Sequence, residues 1–165
     1  MSAHARAAMS ATSRFAAGVP LIVRVIVGVI MSYHGYQKLV GGIGAYSEGV
    51  LEPLGVPAPQ LLGTLQVYAE LIGGAMLVVG LLSRAAALVQ AVILVLAIFL
   101  VKLDLGLIAP MGAPLPGAEL DLALIAGFIV VALLGPGWPS LDHLFGIEKS
   151  IPLTVEREQV AREAS

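Results

Sequence analysis

The sequence predicts an all-α integral membrane protein, a four-helix bundle with both termini in the cytoplasm. Three observations predict it. Of the 165 residues, 58% are hydrophobic and only 12% charged, whereas a soluble domain carries about 25% charge; the mean hydropathy is +0.95. The charges avoid four apolar stretches, each of a length suited to crossing a hydrocarbon core about 30 Å thick. Finally, Lys and Arg are distributed unevenly. With four spans the terminal side holds Arg6, Arg14, Arg24, Arg84, Lys149, Arg157 and Arg162, and the other side only Lys38 and Lys102. Cytoplasmic segments carry the excess of basic residues.

The first predicted span runs from about Pro20 to Val40 and contains Arg24, His34 and Lys38. The second covers Leu61 to Leu82, with Gln66 and Glu70, and the third extends from Arg84 to about Leu103, with Gln90 and Lys102. The fourth, from about Glu119 to Leu134, is short and opens on Glu119 and Asp121. Eight prolines from Pro53 to Pro139 fall between or beyond these segments, where they remove no helical hydrogen bond. Between spans, Ile43 to Leu54 reads as a short interfacial helix, with Tyr46, Val50 and Leu54 on one side. Leu105 to Gly117, rich in Pro and Gly, reads as either a lid or a plain connection. Basic residues precede the first span as in a signal peptide, but Arg24 interrupts the apolar run and no small-x-small site follows, so an uncleaved span is expected.

The absence of Cys excludes disulfides, thiol redox chemistry and Cys-ligated metal sites. Any redox role must use an organic cofactor or a partner protein, and no metal site is assigned. A net charge of −2 gives no reason to expect nucleic-acid binding.

Glu70 is the most informative residue, since no other charge lies between Glu52 and Arg84. An ionisable group at the bilayer centre costs at least ~2.5 kcal/mol, so it faces the bundle interior and needs a partner. On a helical wheel Arg24, His34 and Lys38 fall within about 80°, and Gly28 and Gly35 near that face allow close helix approach. Gln66, Glu70 and Gly73 form a stripe on the second helix. Glu70 lies about 14 Å and His34 about 9 Å below the outer ends of their helices, which makes His34 the expected partner, with Lys38 reaching inward. The arrangement has two readings. One is an internal polar network that fixes helix register. The other is a pocket open to the outer face, with His34 and Glu70 as catalytic acid–base residues, Lys38, Gln66, Lys102 and Glu119 as ligand-binding residues, and Asp104 and Asp121 nearby. On the cytoplasmic side, Arg24 or Arg84 is expected to pair with Asp142, beside a short helix capped by Ser140. His4 and His143 read as interfacial or exposed polar residues and not as ligands, and Trp138, Tyr33, Tyr36 and Tyr46 as an aromatic belt.

Together the residues form a recognisable series. Arg24, Gly28, His34-Gly35 and Lys38, then Glu70-Leu71-Ile72-Gly73-Gly74, then Gly80-Leu81-Leu82-Ser83-Arg84-Ala85-Ala86, resembles the DoxX family of small bacterial membrane proteins. The ending Gly135-Pro136-Gly137-Trp138-Pro139-Ser140-Leu141-Asp142 is similar to the family's GPG-x-x-SLD ending. The resemblance covers about Pro20 to Gly146 and implies a multi-pass protein of the bacterial plasma membrane. Residues 1–18 are then an N-terminal cytoplasmic segment, 19–146 the membrane domain and 147–165 a polar cytoplasmic tail. Relatives of the DoxD type belong to thiosulfate:quinone oxidoreductases, and others are tied to quinone or catechol resistance. The resemblance thus implies a redox-system subunit that binds a quinone or a small sulfur or phenolic compound. Its partners would be the lipid bilayer and a redox protein, with a homo-oligomer also open. Where relatives often carry a His late in the third span, this chain has Lys102. The alternative is a non-enzymatic scaffold for partner redox proteins, in which the polar residues pair with one another inside a filled bundle.

Overall fold

The computed structural model describes residues 3–112 and 116–148, and all regular elements among them are helical. α1 spans Ala3–Gly41, so the first helix begins well before the expected Pro20, which lies inside it. The alanine-rich residues that precede Pro20 favour helix strongly enough to carry it past the apolar stretch. α2 (Ile43–Tyr46) runs into a π-helical turn, Ser47–Leu51, where an interfacial helix was expected. α3 covers Pro59–Val79 and α4 Ser83–Ala97, the latter extended by a π-helical turn at Ile98–Lys102 and a 3₁₀ turn at Leu103–Leu105. α5 (Glu119–Leu134) and the short α6 (Leu141–Leu144) complete the order. The expected polar tail lies outside the described residues from 149 onward, as do residues 113–115 of the Leu105–Gly117 connection.

Gly18–Gly41, Pro59–Val79 and Ser83–Lys102 are long and apolar enough to cross a membrane. Pro59 opens α3, where its missing N–H removes no bond. The helix ends at Val79 and not at Leu82 because Gly80 adopts the left-handed conformation, φ 75°. The N–H groups of Gly80 and Leu81 then both reach the Met76 carbonyl at 2.9 Å, closing the last turn.

α1 packs on α3 and α5, and α4 packs on the same two helices. Their shared core holds Val27, Met31, Leu77, Ala86, Ala87, Leu94, Leu124, Phe128 and Val131. The α1–α3 contact is close because small residues line it. A Cβ on Gly28 would lie 2.8 Å from the Gly74 oxygen, and one on Gly35 would lie 2.5 Å from the Leu71 nitrogen. Such approach replaces, through van der Waals contact, the hydrophobic drive that lipid does not supply.

The expected ion pair between Asp142 and Arg24 or Arg84 does not form. Asp142 is buried, and its two carboxylate oxygens accept the N–H groups of Leu82 at 2.6 Å and Ser83 at 2.9 Å. It thereby caps the start of α4, whose N-terminal donors have no partners within the helix. The same contacts hold Leu82 in the left-handed region, φ 46°. Ser140 does cap α6, its hydroxyl accepting the His143 N–H at 3.3 Å.

Each arginine instead closes a helix C-terminus, where carbonyls are left over and the dipole is negative. Arg24 donates to the carbonyls of Leu77 (2.7 Å) and Val78 (2.5 Å) at the end of α3, and to Pro136 (2.7 Å) and Pro139 (2.5 Å) beyond α5. Arg84 donates to the carbonyls of Ala132 and Leu133 at the end of α5 and pairs with Glu148 at 2.5 Å. Asp142→Ala would strand the buried N–H of Ser83 and the half-buried one of Leu82 and is expected to destabilise the protein by about 2–3 kcal/mol, read from its unfolding midpoint in detergent. Asp142→Asn, which keeps an acceptor, is expected to lose less.

Candidate functional site

Glu70 lies midway along α3 and is almost wholly buried, 2% exposed. A carboxylate there must be compensated. Lys38, one turn from the C-terminal end of α1, supplies the charge: its ammonium meets both carboxylate oxygens, at 2.5 and 2.7 Å. Gln66, one turn before Glu70, donates its Nε2–H to Oε1 at 3.0 Å. Tyr46 of α2 donates its hydroxyl to Gln66 Oε1 at 2.9 Å, and the Lys38 ammonium stands 5.0 Å from the centre of the Tyr46 ring. Gln90 of α4 braces the back of the site, donating to the carbonyls of Ala69 at 2.8 Å and Glu70 at 3.3 Å.

Lys38, Gln66 and Glu70 thus come together as expected, but His34 does not join them. It is half-buried, and among the described residues it forms no hydrogen bond or ion pair with Glu70. The reason is register. Gly35 abuts Leu71 of α3, and the neighbouring residue is turned about 100° away. His34 shares its face with Val27, two turns earlier, which lies against Gly127 of α5 (2.7 Å from a Cβ there). Lys38 reaches inward because its four-carbon stem spans the turn that a short imidazole cannot.

Lys102 and Glu119 do not form one mouth with this group either. Lys102 pairs with Asp121 across α4 and α5 and lies 3.4 Å from the Gly117 carbonyl. Glu119 is exposed, on the first turn of α5. The two buried ion pairs therefore bind helices two by two: Lys38–Glu70 joins α1 to α3, and Lys102–Asp121 joins α4 to α5.

A cleft of about 480 Å³ lies between α3 and α4 beneath the Tyr46–Pro57 segment. Its walls are apolar (Leu62, Ala69, Ile93, Ala97 and Leu100 among them) except at one end, where Tyr46 and Gln66 face it. Tyr46 reads from sequence as a belt residue, but it is half-buried and hydrogen-bonded inward. Burial pushes its pKa up to about 12, assisted by the negative charge of Glu70 and opposed by the bond to Gln66. The phenol is therefore neutral at physiological pH. The one signal for it in the sequence was its place on the same side of the Ile43–Leu54 segment as Val50 and Leu54. By contrast Tyr33, Tyr36 and Trp138 are exposed, as a belt requires.

Regular structure that is all helical among the described residues, with three helices long and apolar enough to cross a membrane and a buried carboxylate paired between two of them, defines a multi-pass membrane protein. The DoxX family model matches residues 19–103, and the chain belongs to the DoxX family. It is similar to "Putative oxidoreductase CatD" of Bacillus subtilis, 34% identical over 74% of this chain and 83% of the relative. It is also similar to "Uncharacterized membrane protein Rv3486" of Mycobacterium tuberculosis, 31% identical over 74% of this chain and 78% of the relative. A third relative is "Inner membrane protein YqjF" of Escherichia coli, 28% identical over 75% of this chain and 89% of the relative. No solved structure matches the chain.

Proposed function

We propose that the protein is the membrane subunit of a bacterial redox system, binding a quinone or a small phenolic or sulfur compound beside Gln66 and Tyr46, with Glu70 as its acid–base group. The observation that carries this reading is the hydrogen-bonded chain from the cleft wall, Tyr46 to Gln66 to Glu70 to Lys38. A buried carboxylate one residue behind an apolar cleft is placed to exchange protons with a ligand head group in a water-poor setting. The name of the Bacillus relative as an oxidoreductase supports the same class. His34 leaves the catalytic pair in this reading. Electrons would come from a partner redox protein, since the chain has no Cys for redox chemistry of its own.

The scaffold reading also has an observation in its favour, the mutual pairing of Lys38 with Glu70 and Lys102 with Asp121. One experiment separates the two. In a strain lacking the gene and challenged with catechol or benzoquinone, the redox reading expects wild type to restore growth and Glu70→Gln to fail while accumulating normally in the membrane. Equal rescue by Glu70→Gln would leave the scaffold.

For topology we propose four spans in the bacterial plasma membrane, with α5 as the fourth, both termini cytoplasmic, and a membrane domain over 19–146. The Lys/Arg asymmetry supports it. Ser47 is buried and a poor probe, whereas a side chain on Gly49 meets nothing within 4 Å. Cysteine at Gly49 is expected to react with an impermeant maleimide on intact cells, and cysteine at the exposed Phe145 only after lysis. The reverse pattern would invert the topology.

A further inference from the structure

We infer that the α3–α4 cleft is a binding site entered sideways from the bilayer, taking a membrane-dissolved amphiphile whose head group accepts a hydrogen bond from Gln66. The inference adds a route and a recognition rule to the redox reading and rests on that reading only for the identity of the site.

The recognition rule follows from the direction of the hydrogen bonds. A carboxylate only accepts, and a lysine ammonium only donates. Glu70, already paired with Lys38, must therefore receive an N–H from Gln66, which turns the amide nitrogen toward Glu70 at 3.0 Å and the amide oxygen toward Tyr46. Tyr46 must then be the donor in its 2.9 Å bond, and its phenol is neutral, as donation requires. The orientation of the amide is thus dictated by its neighbours and is not interchangeable with the flipped one. What remains at the polar end of the cleft is the second N–H of Gln66, which has no partner among the described residues, and the lone pairs of the Tyr46 oxygen. A head group that only donates meets one weak acceptor there. A carbonyl or ether-type oxygen meets an amide N–H.

The route follows from where the cleft opens. Leu65 of α3 and Val89 and Leu96 of α4 line it and are exposed. They lie within the two stretches, Pro59–Val79 and Ser83–Lys102, that are suited to a hydrocarbon core, so lipid tails are what they face. On the other side the cleft is roofed by Leu51, Leu54 and Val56 of the connection from α2 to α3. A ligand that partitions into the bilayer reaches Gln66 without leaving it, its apolar body along Ala69, Ile93 and Ala97 and any tail extending between Leu65 and Val89. Polar water-soluble compounds are excluded by the same walls.

Quinone quenching of tryptophan tests both parts. Trp138 is the sole tryptophan, so a Trp138→Phe background permits single reporters. Val92→Trp places one on the exposed face of α4 beside the cleft entrance, and Ile129→Trp places another at matching depth on exposed α5. In nanodiscs of phosphatidylcholine, decyl-substituted benzoquinone is expected to quench the Val92→Trp reporter with a saturable component that the Ile129→Trp reporter lacks. Decylbenzene, with a six-membered ring and the same tail but no carbonyl acceptor, is expected not to compete. Gln66→Leu, and separately Ala97→Phe, which fills the cleft without touching the polar chain, are each expected to weaken the saturable component at least tenfold. Identical quenching at the two reporters, competition by decylbenzene, or an unchanged component in Ala97→Phe overturns the inference. None of these readouts involves turnover. Saturable quenching together with full rescue by Glu70→Gln would remove the redox reading alone, and loss of rescue without saturable quenching would remove the lateral site alone.

Discussion

Lys38→Met is expected to lower stability by about 3 kcal/mol, because it leaves a 2%-exposed carboxylate without its cation. Lys38 sits near the C-terminal end of α1 and holds Glu70 through both oxygens, at 2.5 and 2.7 Å. Methionine keeps the volume and most of the stem and removes only the charge and its donors. Glu70→Gln is expected to cost less, about 1 kcal/mol, since the partly exposed lysine can turn its ammonium back toward the end of α1. The double variant Lys38→Met with Glu70→Gln should therefore recover most of the loss, as no uncompensated charge remains. Denaturant unfolding of the four proteins in one detergent gives the coupling as a double-mutant cycle. Additive losses would mean that the two side chains do not form a pair in the folded protein.

Arg24→Lys is expected to cost a similar amount, about 3 kcal/mol, despite conserving the charge. The planar guanidinium reaches four carbonyls on two separate pieces of chain, Leu77 and Val78 at the end of α3 and Pro136 and Pro139 beyond α5. An ammonium has three donors radiating from one point and cannot bridge both. Beyond the lower midpoint, the loop from Gly135 to Ser140 should become more susceptible to protease, because the bonds from Arg24 to Pro136 and Pro139 are what tie it to α1. Arg24→Lys with wild-type stability and protease resistance would show that those carbonyls find other donors.

Helix positions were legible because a bilayer imposes length and apolarity on any segment that crosses it. α5 was expected over the residues it occupies, α3 within three residues at either end, and α4 from one residue after its start to one residue past the π-helical turn that extends it to Lys102. The misplaced boundaries have local causes. α1 extends to Ala3 because helix propensity does not stop where hydropathy does, and α3 stops early at a glycine whose left-handed conformation is a backbone choice. Depth and wheel position also brought Lys38, Gln66 and Glu70 to one place, since both quantities follow from helix geometry alone.

What sequence could not supply was the partner of each charge. Counting charges pairs Asp142 with an arginine, yet Asp142, Arg24 and Arg84 bind largely backbone groups, and leftover N–H and C=O groups at helix ends carry no residue signature. The same limit applies to His34 against Lys38, where one step of rotation about α1, set by the Gly35–Leu71 contact, decides which side chain meets Glu70. The sequence by itself determined that this chain is helical, that it lives in a membrane, and that Glu70 is buried and must be compensated, because each follows from the cost of polarity in hydrocarbon. Only the tertiary structure decided that Lys38 compensates it, that Tyr46 and Gln66 link it to a cleft between α3 and α4, and that arginines close the helix ends. Those outcomes depend on helix rotation and on backbone groups brought together by packing.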